Sequence, residues 1–514
     1  MVDTRPVFRR WAVVAGVTVA AVLAASGPAV AGPVLPGAPP ATVTLQPAGA
    51  VREVPTDFFG VNGARIISPE NAEQWHDPVF RQALAGVDAG LIRVQGGTTS
   101  QWIDWRTGRF IQRPGGEFPG QNEGRNPILL SDWADVVRAT GATPIFDLNV
   151  LTSTVDEQIA MLHEAQRLGM DVRYVELGNE LWDPGPYYRQ VYPTGADYAR
   201  TMNEWIVRLR QEFPDIKIGV SGADDSSIVT TALGPRIQTW NAGLYANIRG
   251  ADAVVLHPYW TPDPVQADIG STAAGGVAAW NGFADKAIGG VPAGMEVWIT
   301  EYNQINIPFG EIPGFPPQLI SGVPQTWAVG LSVAGFALSS LTDPRVRMSV
   351  LHAAIDGLPS ARSRAANGNE EIHALLADGS GGSIEYGRTA LNEALTPIYT
   401  RGREGGTVQR ITADGAPEVT VALGTPLGIT RVTSIVGAEF LGDHPGAFLV
   451  NLGDQPVHVR MPDGLSGTLT ADTLNAPPLS NPAFTPSDHV TETRTEVTGE
   501  ATLPPYSLTQ LTPR

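Results

Sequence analysis

The chain contains no cysteine in 514 residues, so no part of it can depend on a disulfide, a thiol nucleophile or a thiolate metal site. Basic residues are also scarce, because 34 Lys and Arg stand against 52 Asp and Glu, and the formal net charge is -18. Such a protein repels phosphate backbones and anionic lipid surfaces, which makes nucleic acid and membranes poor partners. The 42% hydrophobic content is that of a folded globular protein.

Long apolar runs are missing except near the N-terminus. Residues 1–31 combine three arginines with an apolar run over residues 12–25 and a final Ala-Val-Ala. The run is shorter than the ~20 apolar residues that span a bilayer, so the pattern predicts a secretory signal peptide cleaved after Ala31. The pair Arg9-Arg10 leaves the twin-arginine route open. We therefore expect a secreted, extracellular protein without a membrane anchor.

A long central part of the chain alternates short apolar runs with helical stretches, and we assign residues 56–398 to it. Eight such runs can be counted, at 58–64, 91–96, 143–150, 174–180, 216–223, 253–260, 296–303 and 348–354. Eight parallel strands joined by helices close into a (β/α)8 barrel. The stretches 131–140, 155–168 and 197–213 carry apolar residues three to four apart, as expected of helices that cover such a barrel.

The C-terminal part has the alternation of strands instead. Runs of this kind occur at 418–423, 429–436, 446–452, 457–461 and 507–511, which predicts an antiparallel β-sandwich over residues 399–514. Residues 32–55 are assigned to a linker and an N-terminal strand that joins the sandwich. The predicted fold class is therefore α/β, a (β/α)8 TIM barrel with a C-terminal antiparallel β-sandwich domain.

Two strand ends of the predicted barrel carry carboxylates. The fourth run ends with Asn179 and Glu180, and the seventh ends with Glu301. Reactive groups of such barrels gather at the C-terminal ends of the strands, and the fourth and seventh strands lie across the mouth from each other. Two carboxyl groups ~5 to 5.5 Å apart are what a glycosidase with a covalent intermediate needs. The pair predicts a nucleophile and an acid/base, although acidic residues at strand ends can also be solvated or paired with arginine.

Other polar side chains are expected at the same mouth. Arg93 lies on the second run, and His257 and Tyr259 lie on the sixth. The alternation of side chains along a strand turns them inward. Arg93 can hold the nucleophile or pair with Glu176, which lies four residues before Glu180 and deeper in the barrel. His257 is either a substrate residue or a packed barrel histidine.

Tryptophans also follow strand ends. We place Trp182 and Trp260 at the substrate, because an indole plane can stack on the C–H face of a sugar ring. Each can equally be the anchor of a loop. Trp298 alternates away from Glu301 and is expected in the layer outside the barrel.

The sequence motifs of two other classes of hydrolase are absent from this chain. The segment HEAQR at 163–167 has arginine where the zinc metallopeptidase motif needs its second histidine. The chain also has no Gly-x-Ser-x-Gly segment after a strand. We expect no metal and no other cofactor.

These residues resemble clan A of the retaining glycoside hydrolases. LIRVQGG at 91–97, DWRTG at 104–108, FGVN at 59–62 and EYN at 301–303 are similar to the α-L-arabinofuranosidases, and heparanase-like β-glucuronidases share much of the pattern. The resemblance covers about residues 42–514. It implies that a β-sandwich follows the barrel and ends in a segment similar to LPPYSL at 503–508.

The resemblance also implies roles for individual residues. Glu180 would be the general acid/base and Glu301 the nucleophile, while Asn179 would bond to the sugar 2-hydroxyl. Tyr259 would hold the nucleophile. Glu180 must then begin the cycle protonated, and Glu301 must stay ionised with donors around it.

Three positions depart from the family pattern. Gln95 stands where the arabinofuranosidases usually have Pro, Tyr302 stands where they have Trp, and His352 follows the last run where clan members often have Trp. The predicted function is a secreted retaining hydrolase of plant, microbial or host carbohydrate, arabinofuranosidase-like, acting by double displacement. A β-glucuronidase or heparanase-like hydrolase and a non-catalytic carbohydrate-binding protein are the alternatives.

Overall fold

The computed structural model describes residues 42–63, 75–116, 118, 122, 126–226, 235–263, 265–305, 326–355, 375–377, 387–424, 427–482 and 488–514. The predicted signal peptide at 1–31 and the linker up to residue 41 lie outside the described residues. Among the helices within these ranges, none is both long enough and apolar enough to cross a membrane.

Eight parallel strands close into a barrel in chain order, which confirms the predicted fold class. From first to eighth they are Phe59–Asn62, Leu91–Val94, Thr143–Asp147, Tyr174–Leu177, Lys217–Ser221, Ala253–Leu256, Glu296–Ile299 and Val346–Leu351. The eighth strand pairs with the first and completes the ring. Most strands are shorter than the apolar runs that predicted them, because the last residues of each run leave the sheet and form the mouth.

Helices surround the barrel. They are Pro78–Ala85, Leu130–Thr140, Val155–Arg167, Pro186–Val191, Gly195–Glu212, Pro235–Asn247, Ile269–Lys286, Trp327–Leu341 and Ala390–Arg403, with 3-10 turns at Thr98–Trp102 and Ile288–Gly290. A further 3-10 turn, Asp463–Leu465, lies in the second domain. Thr194 begins its helix with a capping box, in which its hydroxyl accepts from Asp197 N and Asp197 accepts from Thr194 N. Trp327–Leu341 is buried almost all round, because it contacts two neighbouring helices and the second sheet.

The helix Ala390–Arg403 contains the domain boundary that we predicted between residues 398 and 399. Its apolar face continues through that point, where Ile398 and Tyr399 are fully buried. The Tyr399 ring stacks on Phe59 of the first barrel strand, with centroids 4.8 Å apart. The helix therefore packs on the barrel at this point, and its last turn reaches the second sheet, where the guanidinium of Arg401 lies 4.1 Å from the centre of the Phe440 ring.

A second closed, mostly antiparallel sheet of nine strands forms the sandwich-like domain. Its strands are Val43–Val54, Gly406–Asp414, Ile435–Leu441, Gly446–Asn451, Val457–Arg460, Thr468–Asn475, Thr491–Thr498, Glu500–Leu503 and Ser507–Pro513. The strand Val43–Val54 runs antiparallel to Gly406–Asp414, and the last strand, Ser507–Pro513, lies in the same sheet, so the first and last strands of the described chain belong to one domain.

Short strand pairs complete the secondary structure. They are Ile103–Asp104 with Arg109–Phe110, Tyr259–Trp260 with Asn303–Gln304, Leu376–Ala377 with Gly387–Arg388, and Glu418–Ala422 with Ile429–Thr433. The last pair was expected in the sandwich, but it forms a separate hairpin. It packs on the helix Ile269–Lys286, where Ser271 Oγ accepts from Ala422 N at 3.1 Å.

The lower part of the barrel interior is apolar, and Trp298 lies there rather than in the outer layer. Its ring meets Tyr174 edge-on, with centroids 5.6 Å apart. Gly219 leaves room for this indole, since a Cβ at that position would lie 2.8 Å from the ring. The expectation failed because the alternation was counted from Glu301, whereas the strand already ends at Ile299. The polar groups of the mouth lie above this apolar floor.

Candidate active site

The ends of the fourth and seventh strands bring Glu180 and Glu301 together. One carboxylate oxygen of each and a ring nitrogen of His257 all lie within 4.8 Å of one another. The Glu180 side chain is 21% exposed and the Glu301 side chain 6%. One carboxyl therefore faces the open mouth, and the other lies beneath it.

The turn after the fourth strand fixes Glu180. The strand ends at Leu177, and Gly178 follows with φ +85°. A Cβ at Gly178 would lie 2.5 Å from Leu181 and 2.6 Å from Val150, so only glycine fits this turn. Glu180 itself has φ +47°, an unusual conformation for a non-glycine residue that is often found at functional sites.

Glu301 is surrounded by hydrogen-bond donors. Its Oε1 accepts from Arg93 Nη1 at 2.6 Å and from Asn62 Nδ2 at 3.3 Å, and its Oε2 accepts from the Tyr259 hydroxyl at 2.6 Å. The pairing of Tyr259 with Asn303 in the short strands above the barrel holds the donor hydroxyl in place. Both oxygens of the carboxylate are thus occupied.

These surroundings keep Glu301 ionised. Burial alone would raise the pKa of Glu301, but the positive charges of His257, His352 and Arg93 and the bond from Tyr259 outweigh it. The pKa of Glu301 is therefore held well below its usual range. The side chain is a carboxylate near neutral pH, as a nucleophile must be.

His257 lies between the two carboxyl groups. Its Nδ1 is 3.0 Å from Glu180 Oε1 and 3.9 Å from Glu301 Oε2, and its Nε2 is 3.1 Å from Thr300 Oγ1. Burial opposes the charged ring, but Glu301 and Glu180 together raise the pKa of His257. This histidine can hold a proton beside Glu180, and its Nδ1 lies within 4 Å of both carboxyl groups.

Arg93 fills both of the roles that the sequence allowed, since it holds Glu301 and also pairs with Glu176. Besides its bond to Glu301, it donates through Nε at 3.0 Å and Nη2 at 2.7 Å to Glu176 Oε2. Nη2 also contacts Asn179 Oδ1 at 3.0 Å and Asp147 Oδ2 at 3.2 Å. Burial opposes the charge, yet the surrounding carboxylates raise the pKa of Arg93, so the guanidinium stays charged.

The orientation of Asn179 follows from this contact. Because Oδ1 accepts from Arg93, the amide nitrogen Nδ2 remains available as a donor, and none of the described residues accepts from it. Asn179 neighbours Glu180 at the mouth. A donor in this position suits a hydroxyl of a bound ligand.

Trp182 and Trp260 do not offer a stacking surface. Trp182 is 2% exposed and donates from Nε1 to Gly222 O at 3.0 Å. Trp260 is fully buried and stacks on Phe336, with centroids 5.0 Å apart. We therefore correct the expectation for both, since each indole is an anchor in the core and has no free face for a sugar.

Four further polar residues were missed as members of the site. Asn62 ends the first strand, His352 follows the eighth, Thr300 supports His257, and Asp147 ends the third strand beside Arg93. The sequence held signals for three of them, because Asn62 ends the family-like segment FGVN, His352 stands at a departure from the family pattern, and the charge of Asp147 interrupts an apolar run. Thr300 is neutral, and nothing in its sequence surroundings marks it.

Glu180, His257 and Glu301 are also the one set of side chains, among those that the structure describes, close enough to share a metal ion. The guanidinium of Arg93 lies 2.6 Å from Glu301 and places a positive charge there already. This charge disfavours a dication on the same carboxylate. The arrangement suits proton transfer and nucleophilic attack better than metal binding.

The fold is similar to solved structures of glycosidases. An α-L-arabinofuranosidase from Thermotoga maritima matches at 15% identity and a TM-score of 0.61, covering 91% of this chain and 99% of that one. A family 51 α-L-arabinofuranosidase from Bifidobacterium longum matches at 16% identity and 0.64, covering 91% and 98%. A 4-O-α-L-rhamnosyl-β-D-glucuronidase from Fusarium oxysporum matches at 13% identity and 0.59, covering 92% and 100%.

The chain has the fold of these enzymes. No model of a known protein family matches the sequence, and no curated protein sequence matches it either. The similarity is thus one of architecture over nearly the full length of both chains. It agrees with the expected resemblance to arabinofuranosidases and glucuronidases.

Proposed function

We propose that this protein is a retaining glycoside hydrolase with Glu301 as nucleophile and Glu180 as acid/base. The main support is the close approach of these two carboxyl groups, whose nearest oxygens lie within 4.8 Å. Retaining glycosidases hold the pair about 5 to 5.5 Å apart, whereas inverting enzymes leave about 6.5 to 9.5 Å for a water. The donors around Glu301 and the greater exposure of Glu180 agree with this division of roles.

The reaction follows from these positions. The Glu301 carboxylate attacks the anomeric carbon while Glu180 gives its proton to the leaving oxygen, which forms a glycosyl ester and releases the aglycone. Glu180, now a carboxylate, takes a proton from water, and that water attacks the same carbon and frees Glu301. His257 Nδ1 stays hydrogen-bonded to Glu180 Oε1 in both steps. We assign to Asn179 the binding of the sugar 2-hydroxyl, since its Oδ1 accepts from Arg93 and its Nδ2 is left as a donor.

For the substrate we propose an α-L-arabinofuranoside first, because two of the similar folds are arabinofuranosidases. A β-glucuronide is the second candidate, because a third belongs to a glucuronidase. We also propose that the protein is exported, since residues 1–31 carry the pattern of a signal peptide. Nucleic acid is not a proposed partner, given the net charge of -18.

The test compares 4-nitrophenyl glycosides of both sugars on the wild type, E301A, E180A and the control E204A, which changes an exposed glutamate on an outer helix. We expect E301A and E180A each to lose orders of magnitude in kcat and E204A to keep it. NMR of the first product should show the anomeric configuration of the substrate. E180A should still form the glycosyl ester from a dinitrophenyl glycoside, whose leaving group needs no proton.

Other outcomes separate the alternatives. A first product with inverted anomeric configuration contradicts the assignment of the two glutamates, and so does full activity in E301A or E180A. Binding of a glycoside by the wild type without any turnover favours a non-catalytic carbohydrate-binding protein. Preference for the glucuronide over the arabinofuranoside selects the second candidate substrate.

A further inference from the structure

Three carboxylates surround one guanidinium beneath the mouth. Arg93 contacts Glu301 at 2.6 Å, Glu176 at 2.7 Å and Asp147 at 3.2 Å. The side chains of Arg93, Asp147 and Glu176 have no exposed surface. His257 and His352 also act on Glu301, whereas no histidine acts on Asp147. Among the described residues, Arg93 is the one cation that contacts both Asp147 and Glu176, and one positive charge cannot balance these two buried carboxylates. An uncompensated buried charge is taken up by protonation, so Asp147 or Glu176 carries a proton.

The number of hydrogens on Arg93 indicates that Asp147 is the protonated carboxyl group. Nη2 has two hydrogens, and its two nearer acceptors are Glu176 Oε2 at 2.7 Å and Asn179 Oδ1 at 3.0 Å. Asp147 Oδ2, at 3.2 Å, is the third and most distant acceptor. Of the three carboxyl groups, Asp147 receives the least compensation from the guanidinium.

Asp147 also has an acceptor for a proton. Its Oδ2 lies 2.6 Å from Ser100 Oγ, and the Ser100 hydroxyl has its own acceptor in Gly97 O at 2.8 Å. Gln101 Nε2 donates to Ser100 Oγ at 2.8 Å and lies 3.3 Å from Asp147 Oδ1, which leaves the second lone pair of Ser100 Oγ for a hydrogen from Asp147 Oδ2. Glu176 lacks this, because its Oε1 is buried with no hydrogen-bond partner among the described residues, and its Oε2 already receives two hydrogens from Arg93. A proton on Glu176 would be either unpaired or opposed by the guanidinium.

We propose that Asp147 is a positioning residue that stays protonated in the folded protein and donates to Ser100, which leaves Arg93 to serve Glu176 and Glu301. The role of Glu301 as nucleophile is taken from the proposed function. Burial raises the pKa of Asp147 to about 8, because the opposing effects of Arg93 and of a hydrogen bond with Ser100 are smaller and the charges of Glu176 and Glu301 act in the same direction as burial. The remaining titratable neighbour is the buried hydroxyl of Tyr198, which donates to Leu177 O.

The first test asks whether a neutral side chain can replace Asp147. D147N carries an N–H toward Ser100 and no charge, so we expect kcat within about threefold of the wild type. D147A leaves a cavity beside Arg93 and Ser100, which lets the guanidinium shift, and it should lower kcat about 10- to 100-fold with a smaller change in KM. E176Q removes the carboxylate that Arg93 holds most firmly and should lose more activity than D147N. Tolerance of E176Q with loss in D147N would place the proton on Glu176 and overturn the proposal.

The second test uses stability and needs no substrate, so it separates failure of this proposal from failure of the proposed function. Aspartate in the unfolded chain titrates near pH 4. Between that pH and about 8 the folded wild type binds a proton that the unfolded chain lacks, and each pH unit lowers its folding equilibrium constant about tenfold relative to D147N. We expect the melting temperature of D147N, relative to wild type, to rise from pH 5 to pH 8.

The control for this slope is D285N, which changes an exposed aspartate at the end of the helix Ile269–Lys286. Its melting temperature relative to wild type should show no comparable rise with pH. A difference between D147N and wild type that is constant, or that falls as the pH rises, would mean that Asp147 is ionised in the folded protein, and the proposal would be wrong.

Discussion

The hydroxyl of Tyr259 donates a 2.6 Å hydrogen bond to Oε2 of Glu301. The two residues leave neighbouring barrel strands, and the pairing of Tyr259 with Asn303 locks the two segments in register just above the sheet. Arg93 occupies the other carboxylate oxygen. The carboxylate of Glu301, the proposed nucleophile, is therefore fixed from both sides, and its orientation is set by the protein alone.

Replacing Tyr259 by phenylalanine removes one of these two fixed points. A hydrogen bond to a charged group contributes about 1.5 to 3 kcal/mol, so we expect kcat/KM of Y259F to fall about 10- to 150-fold. Y192F is the matched control, because its hydroxyl is also buried and donates to Val150 O at 2.6 Å. Y192F should lower the melting temperature and keep kcat/KM. Wild-type kcat/KM in Y259F would show that the hydroxyl does not hold the nucleophile.

Gly178 offers a test of how precisely Glu180 must be placed. Gly178 and Gly169 have nearly the same conformation, φ +85° and φ +88°, but a Cβ at Gly178 would clash with Leu181 and Val150, whereas one at Gly169 has nothing within 4 Å. Alanine at either site should cost about 1 kcal/mol of stability from backbone strain. We expect only G178A to lower kcat as well, by about 100-fold. Equal activities of the two variants would contradict the link between this turn and Glu180.

His257 should make stability depend on pH in a defined direction. Its pKa is raised in the folded protein because Glu301 and Glu180 outweigh the effect of burial. The stabilisation from the bound proton is complete below the unfolded value of about 6.5, and it is lost as the pH rises through the folded pKa. Thermal unfolding of wild type and H257Q from pH 5 to pH 9 should show the wild-type advantage shrinking at alkaline pH. An advantage that grows with pH would indicate a neutral buried histidine.

Burial of Glu439 lowers the stability of the second domain when its carboxyl group is ionised. It is 3% exposed, and no described residue donates a hydrogen bond to its carboxylate. Burial raises the pKa of Glu439, so the ionised form destabilises the fold at pH values above the unfolded pKa near 4.3. E439Q should melt at a higher temperature than wild type at pH 8, and the difference should fade toward pH 4. E204Q, at an exposed site, should show no such trend.

The sequence alone was sufficient to predict the barrel and to bring Glu180 and Glu301 together at its mouth. The eight runs repeat locally, and the C-terminal ends of parallel strands must meet at one face, so Glu180 and Glu301 could be brought together without knowing any loop. The same rule placed Arg93, His257 and Tyr259 at the mouth. Each of these predictions depends on strand order and alternation alone.

What the sequence could not supply depends on packing between distant segments. Trp182 and Trp260 follow strand ends as a sugar platform would, and only the contacts with Gly222 and Phe336 show that they are buried anchors. The hairpin formed by Glu418–Ala422 and Ile429–Thr433 has the alternation of a sandwich strand pair but packs on a helix of the barrel. The alternation of apolar and polar residues shows which face of a strand is buried, but it does not show which sheet the strand joins.

The pairing of Val43–Val54 with Gly406–Asp414 also sets the timing of assembly. Gln409 Nε2 donates to Gly49 O, a partner 360 positions earlier in the chain. On the ribosome the earlier of the two strands must wait, with its edge unpaired, until about four fifths of the polypeptide has been made. Closure of the second sheet is thus a late event in biosynthesis, and a nascent chain truncated before residue 406 would leave that edge exposed to aggregation.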